Sequence, residues 1–168
     1  MRLPELPRPV RYDLSLWVDP AKPGYRGEVE IELEVAPETR TIELHAVDLE
    51  FGAGTARDAR GELSIARVRP NAERETVTLV LDRPLEGGPA SVRIAFSAKL
   101  RADLRGLYLA RSGKRRYAAT QLEAADARRF FPCFDEPAKK ARFRVHVTTP
   151  ARNQVVSNGA VKKTERRG

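Results

Sequence analysis

The chain has 168 residues, 41% of them hydrophobic and 32% charged, which is enough for one sizeable core, and no apolar run approaches the ~20 residues that a membrane-spanning helix needs. A single cysteine, Cys133, excludes an intrachain disulfide; with no apolar signal region among the first residues, a reducing cytoplasmic setting is expected. The net charge of +8 is uneven: residues 1–98 carry 13 Lys+Arg against 17 Asp+Glu, a balance of −4, and residues 99–168 carry 18 against 6, a balance of +12.

Pro4, Pro7 and Pro9 make residues 1–9 an extended lead-in. Val10, Tyr12, Leu14, Leu16 and Val18 then fall on one face of a predicted strand. Pro20 to Gly24 is a turn. From Tyr25 the alternation is strict, with Gly27, Val29, Ile31, Leu33 and Val35 on one face and Glu28, Glu30, Glu32 and Glu34 on the other. That pattern predicts a half-buried antiparallel strand with a solvated acidic face. Ile42, Leu44 and Ala46 continue it, with His45 opposite. Leu49 and Phe51 lead into a predicted Gly52-Ala53-Gly54 turn. Short strands are expected around Leu63 and Ile65, from Val77 to Leu81, and from Val92 to Phe96, with turns at Asp82-Arg83-Pro84 and Gly87-Gly88-Pro89. Turn signals at this spacing suit a sandwich or barrel. No stretch of helix length with a 3.6-residue period precedes residue 100.

Two further strands, Gly106 to Leu109 and Tyr117 to Thr120, bracket a basic turn from Ser112 to Arg116. The stretch Ala118 to Pro137 follows and is long for a connection in a compact domain. Its aromatics Phe130, Phe131 and Phe134 argue for an ordered, shaped loop. If Thr120 to Glu123 is extended, Gln121 and Glu123 share a face and Leu122 points to the core. An amide and a carboxylate side by side suit a ligand with an ammonium beside a carbonyl, such as a peptide N-terminus. At ~4 Å and an effective dielectric of ~20 the attraction is roughly 4 kcal/mol before desolvation. From spacing alone, a surface Glu and a Gln satisfying backbone groups is the commoner arrangement. Asp126 to Arg129 suits one helical turn, and Asp135-Glu136-Pro137 carries a helix-start signature. A strand is predicted at Phe143, Val145 and Val147. Asn158-Gly159 signals a hairpin turn, and with so little chain left to return, the sequence reads as a fragment of a longer polypeptide.

Much chemistry is absent. His45 and His146 belong to no paired metal motif and fit structural positions on strands. No phosphate loop or nucleophile elbow occurs. Cys133 has no neighbouring His to activate it and reads as a buried, inert thiol. Asp135 and Glu136 read as ion-pair partners of Arg128, Arg129 or Arg142. No residue is assigned a catalytic or metal-binding role.

The segments Thr120-Gln121-Leu122-Glu123, Asp126-Ala127-Arg128-Arg129, Phe131-Pro132-Cys133-Phe134-Asp135-Glu136-Pro137 and Lys140-Ala141-Arg142-Phe143 together resemble the aminopeptidase N family of zinc metallopeptidases. Tyr12-Asp13-Leu14, Gly27 to Ile31, Ile42 to Ala46, Gly106-Leu107-Tyr108 and Ser157-Asn158-Gly159 match its pattern in order. The resemblance implies an all-β, antiparallel, saddle-like β-sandwich with one or two short helical turns, spanning residues 1–168 as the family's N-terminal domain and truncated near its C-terminal end. It implies that the catalytic domain of the same polypeptide is the domain's partner, with zinc bound there and none by this fragment, which alone is inactive. Gln121 and Glu123 then become substrate-binding residues that hold the free amine of a peptide. Leu122 departs from the aromatic often found between them. The alternative is a stand-alone basic β-sandwich that binds an acidic protein or nucleic acid. No recognised nucleic-acid motif accompanies its charge, and no membrane association is expected.

Overall fold

The computed structural model describes residues 2–166, which form ten strands and one 3₁₀ turn. The strands are β1 (Arg8–Val18), β2 (Gly24–Val35), β3 (Thr39–His45), β4 (Glu50–Asp58), β5 (Gly61–Asn71), β6 (Thr76–Leu85), β7 (Gly88–Lys99), β8 (Gly106–Ser112), β9 (Arg115–Gln121) and β10 (Arg142–Thr148). Eight of them make one curled sheet in the order β10-β1-β2-β7-β4-β5-β6-β3, and β8 and β9 form a separate hairpin. The fold is the all-β, sandwich-like one expected.

The curl is made at β5. Its first half pairs with β4 and its second with β6, and the register shifts between Ile65 and Arg67. A bulge of this kind lets one strand pass from one layer to the other. The inward faces of the two layers then meet in a core whose centre, Val29, Ile31, Val92, Ile94, Leu79 and Ile42, is wholly buried. The alternating pattern of β2 does what its sequence predicts. Its Glu face is less a bare wet surface than a set of cross-strand ion pairs, Arg11 to Glu32 at 3.1 Å and Arg93 to Glu30 at 2.6 Å.

Several expectations are corrected. Gly52-Ala53-Gly54 is part of β4, not a turn. At Gly54 a Cβ would stand 2.6 Å from the Ile65 side chain and 2.7 Å from the Arg93 carbonyl, so close packing of neighbouring strands requires the glycine. The reversal comes later, at Gly61, whose φ of +108° only glycine adopts readily. β5 runs on to Asn71, and β6 runs through Asp82-Arg83-Pro84 to Leu85. Val10 is exposed, because β1 slips register between Pro9 and Arg11. β10 pairs with β1 in parallel, in a sheet otherwise antiparallel.

The helix signalled at Asp135-Glu136-Pro137 does not form; the chain makes a single turn. Its polar groups are committed elsewhere. Asp135 binds Arg128, the Glu136 carboxylate accepts the Leu3 N–H, and the Lys139 ammonium donates to the carbonyls of Pro4, Glu5 and Pro7. The Asn158-Gly159 hairpin is also absent. The chain bends there, but no strand flanks it, and Val156 and Val161 are exposed. Turn chemistry fixes a local backbone, whereas paired strands need a face to bury.

Candidate functional site

The long loop is built inward before it is built outward. Phe130 and Phe131 are buried in the core and meet edge to face at 5.2 Å, with Tyr12 edge-on to Phe131 at 5.9 Å and Tyr25 against Phe130 at 6.0 Å. Aromatic pairs of this geometry contribute about 0.5–1.5 kcal/mol each beyond the area they bury. Both tyrosines also hold the loop backbone. The Tyr25 hydroxyl donates to the Phe130 carbonyl at 2.6 Å, and the Tyr12 hydroxyl accepts the Phe134 N–H at 3.0 Å. Burial pushes both phenols well above their ordinary range, so they stay neutral.

The next anchor is a two-way backbone bridge. His45 N–H donates to the Cys133 carbonyl at 2.8 Å and Cys133 N–H donates back to His45 at 3.1 Å. The loop thus covers the free edge of β3 and buries His45, whose Nδ1 accepts the Asp135 N–H at 3.2 Å. His45 is therefore structural, as expected, and so is Cys133, a buried thiol whose pKa burial raises well above the ordinary value. His146 lies at the surface, 3.0 Å from Asp13.

The third anchor is ionic. Arg128 is buried, with Nε donating to Asp135 Oδ2 at 2.9 Å and Nη1 to Glu75 Oε2 at 2.9 Å. Arg129 donates to Asp126 Oδ1 at 2.9 Å and to the other oxygen of Glu75 at 3.0 Å. Two arginines of the 3₁₀ turn Ala127–Arg129 therefore share one carboxylate from the β5–β6 connection. The sequence pointed to Asp135 as a partner of Arg128. It gave no sign of Glu75, which lies 53 positions away from Arg128.

These anchors set the place of Gln121 and Glu123. β9 ends at Gln121, which pairs with Gly106 at the start of β8. Gly106 has a φ of +61°, and a Cβ there would lie 2.8 Å from the Arg129 carbonyl oxygen. The hairpin is thus set directly against the pinned turn. Leu122 packs on the core, and its carbonyl accepts the Asp126 N–H at 3.0 Å, so Glu123 begins a turn rather than continuing the strand. The Glu123–Ala124 peptide is cis. Gln121 and Glu123 are both exposed, and among the described residues neither side chain has a partner. An amide and a carboxylate left free beside a rigid anchor are equipped to accept from a cation and to hydrogen-bond a carbonyl or N–H.

A family model for the peptidase M1 N-terminal domain matches residues 8–168. The chain belongs to the peptidase M1 N-terminal domain family. It is 34% identical over 167 residues to endoplasmic reticulum aminopeptidase 1 of Rattus norvegicus, covering 94% of this chain and 18% of that protein. It is 34% identical over 165 residues to aminopeptidase M1-A of Oryza sativa subsp. japonica and to aminopeptidase M1 of Arabidopsis thaliana, covering 94% of this chain and 19% of each relative. The chain thus spans about a fifth of the length of these relatives.

Two features of this M1 N-terminal domain bear on its chemistry. Among the described residues no three His, Cys, Asp or Glu side chains are grouped to hold a metal ion. His45 and His146 are engaged with Asp135 and Asp13, so the histidines present do not fit a zinc site. A cavity of about 1270 Å³ opens at the end of β1, β2 and β7, beside Trp17, Tyr25 and Arg101. Neither Gln121 nor Glu123 lines it. Its walls are open and of mixed charge, with Arg101 already paired to Asp48 at 2.7 Å and to Asp103 at 2.6 Å. The unpartnered pair, not this cavity, is the better candidate for binding chemistry.

Proposed function

We propose that residues 1–168 are the substrate-facing N-terminal β domain of a longer zinc-dependent aminopeptidase. In this reading Glu123 accepts the α-ammonium of a peptide and Gln121 binds beside it. The catalytic domain of the same polypeptide is the partner that supplies zinc and hydrolysis, and the fragment by itself is inactive. A cytoplasmic setting suits the free thiol of Cys133. The observation that carries the reading is the exposed, unpartnered Gln121 and Glu123 beside a turn fixed by the buried Arg128 and its neighbour Arg129. Such a site is preorganised, because the anchoring cost is met before the ligand arrives.

The test is made in the full-length polypeptide with short aminoacyl substrates. Glu123→Ala is expected to raise KM and lower kcat/KM by roughly 1.5–3 kcal/mol, the worth of a charged hydrogen bond. Unchanged kinetics would overturn the assignment.

A further inference from the structure

The β8–β9 hairpin carries a charge that the rest of the domain does not answer. Between Asp103 and Glu123 there are five cations and no carboxylate. Elsewhere some strand arginines are paired across the sheet, as Arg11 is with Glu32 and Arg93 with Glu30. At the hairpin tip Arg111, Lys114, Arg115 and Arg116 are all exposed, and among the described residues none of these side chains has an ion-pair or hydrogen-bond partner. Four such cations with no counter-charge give a field that favours an anionic ligand.

The register of the hairpin ties this charge to the candidate site. Cross-strand partners share a face. The pairs Gly106–Gln121, Tyr108–Ala119, Ala110–Tyr117 and Ser112–Arg115 lie on one face. The other face carries Leu107, Thr120, Leu109 and Ala118, of which Leu107 and Ala118 pack into or against the core, and it ends in the exposed pair Arg111–Arg116 at the tip. The outward face therefore runs from Gln121 past Tyr108 and the exposed Tyr117 to Arg115. Six strand residues at ~3.4 Å each span about 20 Å. An extended peptide advances ~3.3–3.6 Å per residue, so one seated at Glu123 reaches Arg115 with about its sixth or seventh residue.

We propose that this face extends the substrate site and binds an acidic segment of a peptide about six or seven residues in from its N-terminus. The inference rests on the reading of Gln121 and Glu123 as the ammonium site. Tyr108 and Tyr117 supply rigid, amphipathic contact along the way, and the cations at the tip supply selectivity by charge.

The experiment uses the intact protein and fluorescence anisotropy. The probes are peptides of about seven residues, labelled at the C-terminus, with an N-methylated first amide that prevents turnover. One carries Glu at the last two positions and the other Lys. The Glu peptide is expected to bind about fivefold more tightly, the effect of one or two exposed ion pairs, and the difference should vanish at high salt. In R115E/R116E the preference should reverse, a result that an unfolded variant could not give. N-acetylation of the Glu peptide should weaken its binding. Equal affinities for the Glu and Lys peptides, with the acetylation effect intact, overturn the hairpin inference alone. Indifference to acetylation overturns the ammonium site, and this extension with it. A single-stranded oligonucleotide that outcompetes the Glu peptide at physiological ionic strength, and loses that advantage in R115E/R116E, overturns the peptide assignment in favour of nucleic acid.

Discussion

Two turn-rich segments of this chain, residues 122–141 and residues 151–166, meet different fates. Both are rich in charge and carry turn residues. The first is ordered by buried aromatics, by a backbone bridge to β3 and by Arg128 between two carboxylates. The second has Arg152 beside Asp19 at 3.2 Å and the Asn153 amide on Thr149 at 2.8 Å, and beyond that its side chains are exposed. Turn chemistry sets local dihedrals in both. Only the first buries its apolar groups against the core, while Val155, Val156 and Val161 of the second stay exposed, and that burial offsets the conformational entropy of fixing some twenty residues.

The comparison breaks most sharply at Arg128. Arg128→Ala leaves the half-buried Asp135 without its cation, and removing one partner of a fully buried pair costs about 3–5 kcal/mol, which is the upper bound here. Urea unfolding should show that loss, and a variant within about 0.5 kcal/mol of wild type would show that the ionic anchor is dispensable.

A smaller effect is expected from acid, through a network outside the loop. Asp58 accepts from Arg83 at 2.7 and 2.9 Å and from the backbone N–H groups of Glu86 and Arg60 at 3.0 Å each. The hydrogen bond from Arg83, above all, holds this carboxyl well below the usual carboxylate range. A carboxylate with a depressed folded pKa contributes fully above its unfolded value of about 3.9, and the contribution is lost as pH falls below that toward the folded value. Stability followed by circular dichroism should therefore decline below about pH 4, and Asp58→Asn should flatten part of that decline. An unchanged acid profile in the variant would remove Asp58 from the account.

The smallest effect is expected from the second segment. Ending the chain after Asn153 removes a segment whose described residues, 154–166, are exposed and make no strand. The unfolding midpoint should shift by no more than about 0.5 kcal/mol in stability terms. A larger loss would mean that the tail packs on the domain.

Much of this molecule was readable before folding. The period-two patterns of β1, β2, β6 and β7 placed the strands and, Val10 apart, their inward faces, though not the far end of β6, because alternate side chains of a strand must face opposite environments. The one-turn helix at Asp126 to Arg129 and the inert settings of His45 and Cys133 also held. Gln121 and Glu123 stood out through the resemblance to a family; their spacing alone did not single them out. The failures share a cause. Gly52 and Gly54 look like a turn, but the glycines answer to Ala95, Arg93 and Ile65 on neighbouring strands. Asp135-Glu136-Pro137 looks like a helix start until Arg128 and Leu3 claim its carboxylates.

The sequence by itself determined the all-β class, the inward faces of the long strands and the family to which the chain belongs. Each depends on residue order along one segment or on motifs in series. The tertiary structure alone decided that β10 joins β1 in parallel, that β5 crosses between layers, and that Glu75 serves both Arg128 and Arg129. It also decided that the cations of the hairpin tip are left without carboxylates. Contacts of this kind join residues far apart in the chain, and burial together with the closure of the sandwich selects among partners that local sequence leaves equivalent.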